Sequence, residues 1–177
     1  VNAQGRTPES LVRSLIQSSL PMLGIPQWSP DGRYLACTNW QDGKIQSVVY
    51  DANLQPVSTL GSVLDVVTVP TDGWSADGSA LAVVEQDGVR ALLMLVLGPF
   101  NGETAIPYDL TLDTRAGIDW HPQSNRLLVT AYTDDVPEPG LFTVDSSGQP
   151  QSLAPDDNHL WRADGSWSPD GSQIIYV

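Results

Sequence analysis

"WSPDGRYLACT" starts at Trp28, and three later stretches follow its plan: "WSADGSALAVV" at Trp74, "WHPQSNRLLVT" at Trp120 and "WSPDGSQIIYV" at Trp167. The intervals from 28 to 74, 74 to 120 and 120 to 167 are 46, 46 and 47 residues. The third copy loses Asp-Gly but keeps Trp120, Pro122 and Leu127, the last at the same seven-residue offset from its Trp as Leu35 and Leu81. Ser-Pro-Asp-Gly specifies a turn. Pro presets φ at the second position, Asp31, Asp77 and Asp170 tolerate the bridge region, and Gly32, Gly78 and Gly171 supply the left-handed residue of a hairpin bulge. A large amphipathic Trp suits packing between neighbouring sheets. The small apolar run after it suits a strand buried on both faces. Trp28, Asp31, Gly32, Trp74, Asp77, Gly78, Trp120, Trp167, Asp170 and Gly171 are therefore read as structural.

A period near 46 falls in the range of four-stranded propeller blades. Each unit parses into four short strands. The first leads into the Trp ("GIPQW", "TDGW", "GIDW") and the second follows the turn ("YLACTNW", "ALAVVEQ", "RLLVTAYT", "QIIYV"). After "QDGK", "QDGV" or "TDDVPEPG" (133–140) comes a third strand ("IQSVVYD", "RALLMLVL", "GLFTVD"). The fourth is "PVSTL", "TAIPYDL" or "PQSLA". Short strands between Asp-Gly, Gly-Pro and Ser-Gly breaks predict an all-β chain. The expected organisation is a single β-propeller domain or segment over 1–177. It has an outer strand at 1–14, blades at about 24–66, 67–113 and 114–156, and an incomplete blade at 157–177.

These motifs resemble the repeat of the TolB-like, or WD-like, β-propellers, in which "WSPDG" precedes a short apolar strand. The resemblance covers essentially the whole chain. It implies a binding scaffold and brings no catalytic residues with it. It also implies a bacterial exported or cell-envelope setting, periplasmic or extracellular, while the residues themselves leave a cytoplasmic one open.

The ends leave alternatives. "GRTPESLV" (5–12) matches the fourth-strand segments "LQPVSTL" and "GQPQSLA", so 1–14 reads as an outer strand. "SLVRSLIQSSL" also has helical spacing, and Thr7-Pro8-Glu9 is a fair helix start. The two ends could pair as a closing blade, the chain could be one segment of a larger propeller, or copies could complete one another by association. Open apolar flanks are otherwise avoided by capping.

Lys plus Arg is 8 and Asp plus Glu is 21, a net charge of −13, with Lys44 the only lysine. That balance repels nucleic acid and anionic lipid and favours solubility and a basic partner. Cys37 is the only cysteine and excludes an intrachain disulfide. The longest apolar run, "ALLMLVL" (91–97), suits a buried strand and is too short to span a membrane.

No G-x-S-x-G elbow is present; "GWSADG" (73–78) places Asp77 where the second Gly belongs. His121 takes the Ser position of the repeat and reads as a turn residue. His159 with Asp156 and Asp157, and the group Asp134, Asp135 and Glu138, lack metal-site spacing. No cofactor is expected. The long connections 60–73, 133–140 and 154–165 are the candidate contact loops. Trp161 and Arg162 are the expected protein contacts, because Trp and Arg are enriched at binding hot spots, and Trp40 is a further one. The chain is therefore read as a non-enzymatic scaffold for protein-protein interaction or assembly. The alternatives are a propeller of a prolyl-oligopeptidase-like peptidase whose catalytic domain is encoded elsewhere, and a sugar- or small-ligand-binding propeller.

Overall fold

The computed structural model describes residues 25–41, 44–60, 66–87, 90–100, 104–113, 117–133, 136–153 and 164–176, and every element among them is a β-strand. The expected outer strand at 1–14 lies outside the described residues. In the first set, β1 (Gln27–Trp28) pairs with β2 (Tyr34–Gln41), β2 with β3 (Lys44–Asp51) and β3 with β4 (Pro56–Leu60), all antiparallel. The second set holds β5 (Val66–Thr68), β6 (Ala80–Asp87), β7 (Arg90–Leu97) and β8 (Thr104–Leu112), again antiparallel in that order. The third holds β9 (Ile118–Trp120), β10 (Leu127–Thr133), β11 (Val136–Val144) and β12 (Gln151–Ser152). β13 (Gly165–Trp167) and β14 (Ile174–Tyr176) form a separate antiparallel pair. The four-stranded antiparallel sets are blades of a β-propeller. They stand side by side without closing into a ring among the described residues.

Two connections differ from the sequence reading. The stretch 60–73 was expected as a long loop, yet Val66–Thr68 is a strand, registered Val66 to Gln86 and Thr68 to Val84. Trp74 then bridges Leu81 further along β6. The inner strand of this blade thus runs in two pieces, separated by a bulge that contains Pro70 and Asp72 at φ 59°. The third blade repeats this: Leu112 pairs with Ala131, and Ile118–Trp120 pair with Val129–Leu127. The break at 133–140 is also shorter than expected, because β11 already begins at Val136. The register shifts between Ala131 and Thr133, an irregularity that accommodates prolines, which cannot donate to a ladder.

The second strand of each blade is buried on both faces. Leu35, Ala36 and Cys37 are 0, 1 and 1% exposed, and Leu81, Ala82 and Val83 are all 0%. Apolar burial between blades makes the core. Ala36 and Val49 of the first blade join Trp74, Leu81, Val83 and Phe100 of the second. Leu93, Leu95 and Leu110 of the second join Trp120, Leu127 and Val129 of the third. Fully burying one such side chain is worth about 1.5–3 kcal/mol, which is why the blades adhere.

The motif tryptophans also join the blades by hydrogen bonds. Trp74 Nε1 donates to the Gln27 carbonyl at 3.0 Å, and Trp120 Nε1 donates to the Gly73 carbonyl at 3.1 Å. In both cases the acceptor immediately precedes the Trp of the blade before. The Gln27 side chain reinforces its joint, donating to the Pro70 carbonyl at 2.7 Å and accepting from Gly73 N at 3.2 Å. The third joint is built differently. The Asp119 carboxylate accepts from Trp167 N at 2.6 Å and from Ser166 Oγ at 2.7 Å, while the buried Trp167 Nε1 has no partner.

Trp120→Phe removes the donor to Gly73 and keeps most of the ring. It should lower stability by about 1–3 kcal/mol in urea, at an unchanged m value. Trp40→Phe, at a side chain that is 46% exposed, should stay within about 0.5 kcal/mol of the parent.

Candidate functional site

Each blade has two chemically different ends. One carries the turns between first and second strands. In the first, Ser29 Oγ donates to Asp31 Oδ1 at 2.6 Å, Arg33 N donates to the same oxygen at 3.0 Å, and Tyr34 N donates to Ser29 Oγ at 3.0 Å. The second repeats this with Ser75 Oγ and Ser79 N on Asp77 at 2.8 and 2.9 Å, and Ala80 N on Ser75 Oγ at 2.9 Å. The fourth has Ser168 Oγ and Ser172 N on Asp170 at 2.6 and 3.0 Å, and Gln173 N on Ser168 Oγ at 3.0 Å. Gly32, Gly78 and Gly171 sit at φ 70°, 71° and 72°, where an L side chain is strained. The structure thus uses the Asp residues to bind their own turns.

The third turn has no glycine at the corresponding position, where Ser124 stands, and no aspartate. His121 replaces the serine, and its Nδ1 accepts from Gln123 N at 3.1 Å. Its ring lies edge-on to Trp167, with centroids 4.8 Å apart. Neighbouring turns also touch: Asn125 Nδ2 donates to Ser79 Oγ at 2.7 Å. A shallow cleft of about 360 Å³ lies here between Ala76, Asp77 and Pro122–Asn125, but Asp77 and Asn125 in its wall are committed to these turn bonds.

Burial pushes the Asp31 and Asp77 carboxyls up, but hydrogen bonds outweigh it and hold both below the ordinary carboxylate value, from Ser29 and Arg33 at Asp31 and from Ser79, Ser75 and Asn125 at Asp77. Asp170 accepts from the Ser168 hydroxyl and from the Ser172 amide and hydroxyl with less burial, and they lower it to about 2. A folded pKa below the unfolded one means that the unfolded chain binds more protons in acid. The stabilisation is complete above the ordinary carboxylate pKa and is lost as pH falls through the folded values. The urea midpoint should therefore fall steeply between about pH 4 and about pH 2. Asp77→Ala should cost about 1–2 kcal/mol near neutral pH and make that acid limb shallower.

The other end of the blades carries the second-to-third hairpins and the start of each inner strand. Trp40 stands there, opposite Ile45 in the β2–β3 register, with its side chain in solvent. On the other face of the strand the preceding residue, Asn39, donates from Nδ2 to Tyr50 Oη at 3.1 Å, both residues being buried, which ties this end of β2 to β3. Trp161 and Arg162, and the His159 group, lie outside the described residues, as do Asp134 and Asp135. Of the three expected contacts, the described residues include Trp40 alone.

Cys37 is buried in β2, and burial pushes its thiol up to about 12, which leaves it un-ionised and inert. Among the described residues no group of three His, Cys, Asp or Glu side chains is placed to hold a metal ion. No described helix is long and apolar enough to cross a membrane.

No family model matches the sequence, and no curated protein matches it. Solved structures do match the fold. TolB from Acinetobacter baumannii superposes with a TM-score of 0.55 at 16% identity, over 89% of this chain and 37% of that one. The Cps50 (Swd1) β-propeller domain of Myceliophteria thermophila gives 0.58 at 10% identity, over 99% of this chain and 54% of that one. Kuenenia stuttgartiensis hydrazine synthase gives 0.51 at 14% identity, over 85% and 48%. This chain therefore spans about half or less of each of those chains. At these identities the likeness is one of fold: the blades of this chain are those of a β-propeller.

Proposed function

We propose that this propeller segment is a non-enzymatic scaffold that docks a protein partner on the end of its blades that carries Trp40. The observation behind this reading is the difference between the two ends. The turn end spends its hydroxyls and carboxylates on its own backbone. The opposite end holds out a large indole on a strand that a buried Asn39–Tyr50 hydrogen bond makes rigid. A rigid, exposed aromatic is the typical anchor of a protein contact, because little side-chain entropy is lost when it is covered. Trp161 and Arg162 are further proposed protein contacts of the scaffold, on their residue types. The net charge of −13 selects a basic partner. The blades we assign run at about 24–66, 67–113 and 114–156, between an outer strand at 1–14 and an incomplete blade at 157–177. The resemblance of the repeat to TolB-type propellers supports an exported or periplasmic setting.

A photo-crosslinking side chain placed at position 40 should yield a discrete protein adduct in cells of the source organism. One placed at Ala76, on the turn end, should not. Trp40→Ala should weaken binding to the crosslinked partner about tenfold or more while leaving stability nearly unchanged. Equal labelling from both positions, or none from position 40, overturns the assignment of this surface.

A further inference from the structure

Neighbouring turns interlock by seating a side chain on a glycine. Between the first and second turns the Asp31 carboxylate packs on Gly78, where a β-carbon would lie 3.1 Å from its carboxyl carbon. Between the third and fourth the His121 ring packs on Gly171, where a β-carbon would collide with Nε2. Between the second and third turns this seat is missing. The glycine position there is Ser124, and no side chain closes the gap. What remains is the cleft of about 360 Å³ lined by Ala76, Asp77, Pro122, Gln123, Ser124 and Asn125. That volume lies at the small end of the range for small-molecule sites.

The wall of this cleft has polar atoms to spare. In the other three turns the residues in the places of Gln123 and Ser124 are Asp and Gly, and the Asp is spent on its own turn. In the third turn His121 takes over that work, since its Nδ1 accepts from Gln123 N. The side chains of Gln123 and Ser124 are thereby released; both residues are exposed, and neither side chain has a hydrogen-bond partner among the described residues. Asp77 accepts from Ser75 Oγ, Ser79 N and Ser79 Oγ on Oδ1 alone, so Oδ2 keeps lone pairs for a ligand even with the Asn125 amide beside the carboxylate. Asn125 spends Nδ2 on Ser79 and keeps Oδ1 as an acceptor.

This donor and acceptor set selects its ligand. The wall holds no lysine or arginine, Pro122 has no N–H, and Gln123 N is already used, so an anion finds no charged donor. A small cation would gain from Asp77 alone, an exposed charge screened by solvent, and would leave the Gln123 amide and the Ser124 hydroxyl idle. A ligand with several adjacent hydroxyls uses every group. We infer that this cleft binds a single sugar unit, free or at the end of a glycan. Its hydroxyls donate to Asp77 Oδ2 and Asn125 Oδ1 and exchange hydrogen bonds with Gln123 and Ser124. The site is separate from the Trp40 surface and does not depend on a protein partner.

The test is a nuclear magnetic resonance titration of the full, nitrogen-15-labelled chain, separately with D-glucose, D-galactose, D-mannose and N-acetyl-D-glucosamine. At least one should shift the amides of Ala76, Asp77, Gln123, Ser124 and Asn125 along a saturable curve with a Kd in the millimolar range, and leave the Trp40 indole signal in place. Gln123→Ala and Ser124→Ala, at exposed side chains without partners, should keep the urea midpoint and each raise that Kd roughly three- to tenfold. Ala76→Phe, which fills the cleft, should abolish the shifts. The methyl glycoside of the sugar that binds separates the two sources: undiminished binding identifies a glycan end, and weakened binding identifies the free sugar. No response to any of the four sugars overturns the inference. So do shifts indifferent to the Gln123 and Ser124 variants, or saturable binding of ethanolamine or methylguanidinium where the sugars fail. A protein adduct through position 40 bears only on the other surface and leaves this result untouched.

Discussion

One joint governs the architecture: an indole N–H of one blade held by a backbone carbonyl of the blade before. A blade cannot bury its apolar face alone, so it must find the next one at a defined angle and height. Apolar contact supplies most of the adhesion but is non-directional. The hydrogen bonds of Trp74 to Gln27 and Trp120 to Gly73 supply the missing direction. They sit among buried apolar side chains, and a buried donor without a partner costs more than a formed bond yields. Sliding one blade past its neighbour would therefore be penalised at the joint before much apolar area was lost.

The Ser-Pro-Asp-Gly turns serve that joint. Each turn reverses the chain one residue after the Trp, so its geometry sets where the indole can reach. The Ser hydroxyl accepts from the backbone five residues on, and the Asp accepts from the amide two residues on; the first and second turns share this plan. Where the sequence departs from it, the joint changes with it. The third turn has His121 in place of the serine, and His121 packs on Trp167. It is at this third joint that the indole is left without a partner and the Asp119 carboxylate takes the incoming strand by its backbone instead.

How much of this was legible depends on which atoms carried the information. The turns and the strands after them were written in side chains, Trp, Pro, Asp, Gly and then a run such as "YLAC", so their places could be read directly. The strand Val66–Thr68 was missed because it lies in "VLDVVTVPTDG", bounded by a proline and an Asp-Gly pair, and its partner is the far end of a strand already assigned. β11 was shortened in the reading because Pro137 and Pro139 look like loop residues, although an irregular register lets a strand contain them. The joints were invisible because their acceptors are main-chain carbonyls at Gln27 and Gly73, two residues with nothing in common. Trp40 was legible as an aromatic at a strand end, but not its exposure, which depends on what the neighbouring blade leaves uncovered.

A repeated joint also explains why the two ends of the blades can differ so much in chemistry. The turn end is bound by its part in the repeat, since altering Ser, Asp or Gly there disturbs the angle between blades. The opposite end joins blades only through short backbone pairings, Ile45 with Val66 and Leu112 with Ala131, which ask for no particular side chain. Its hairpins can change length and composition at little cost, because loop closure grows only slowly with length. Selection for recognition can then act on one end while selection for folding holds the other. An exposed Trp40 on a strand tied by the buried Asn39–Tyr50 bond is the kind of feature that arises at the end free of the repeat. On the turn end the same indole would compete with the carboxylate networks for space. The same reasoning separates the roles of the tryptophans. Trp74 and Trp120 make the joints, Trp28 and Trp167 hold the same place in the repeat, and Trp40 stands outside it with its side chain exposed.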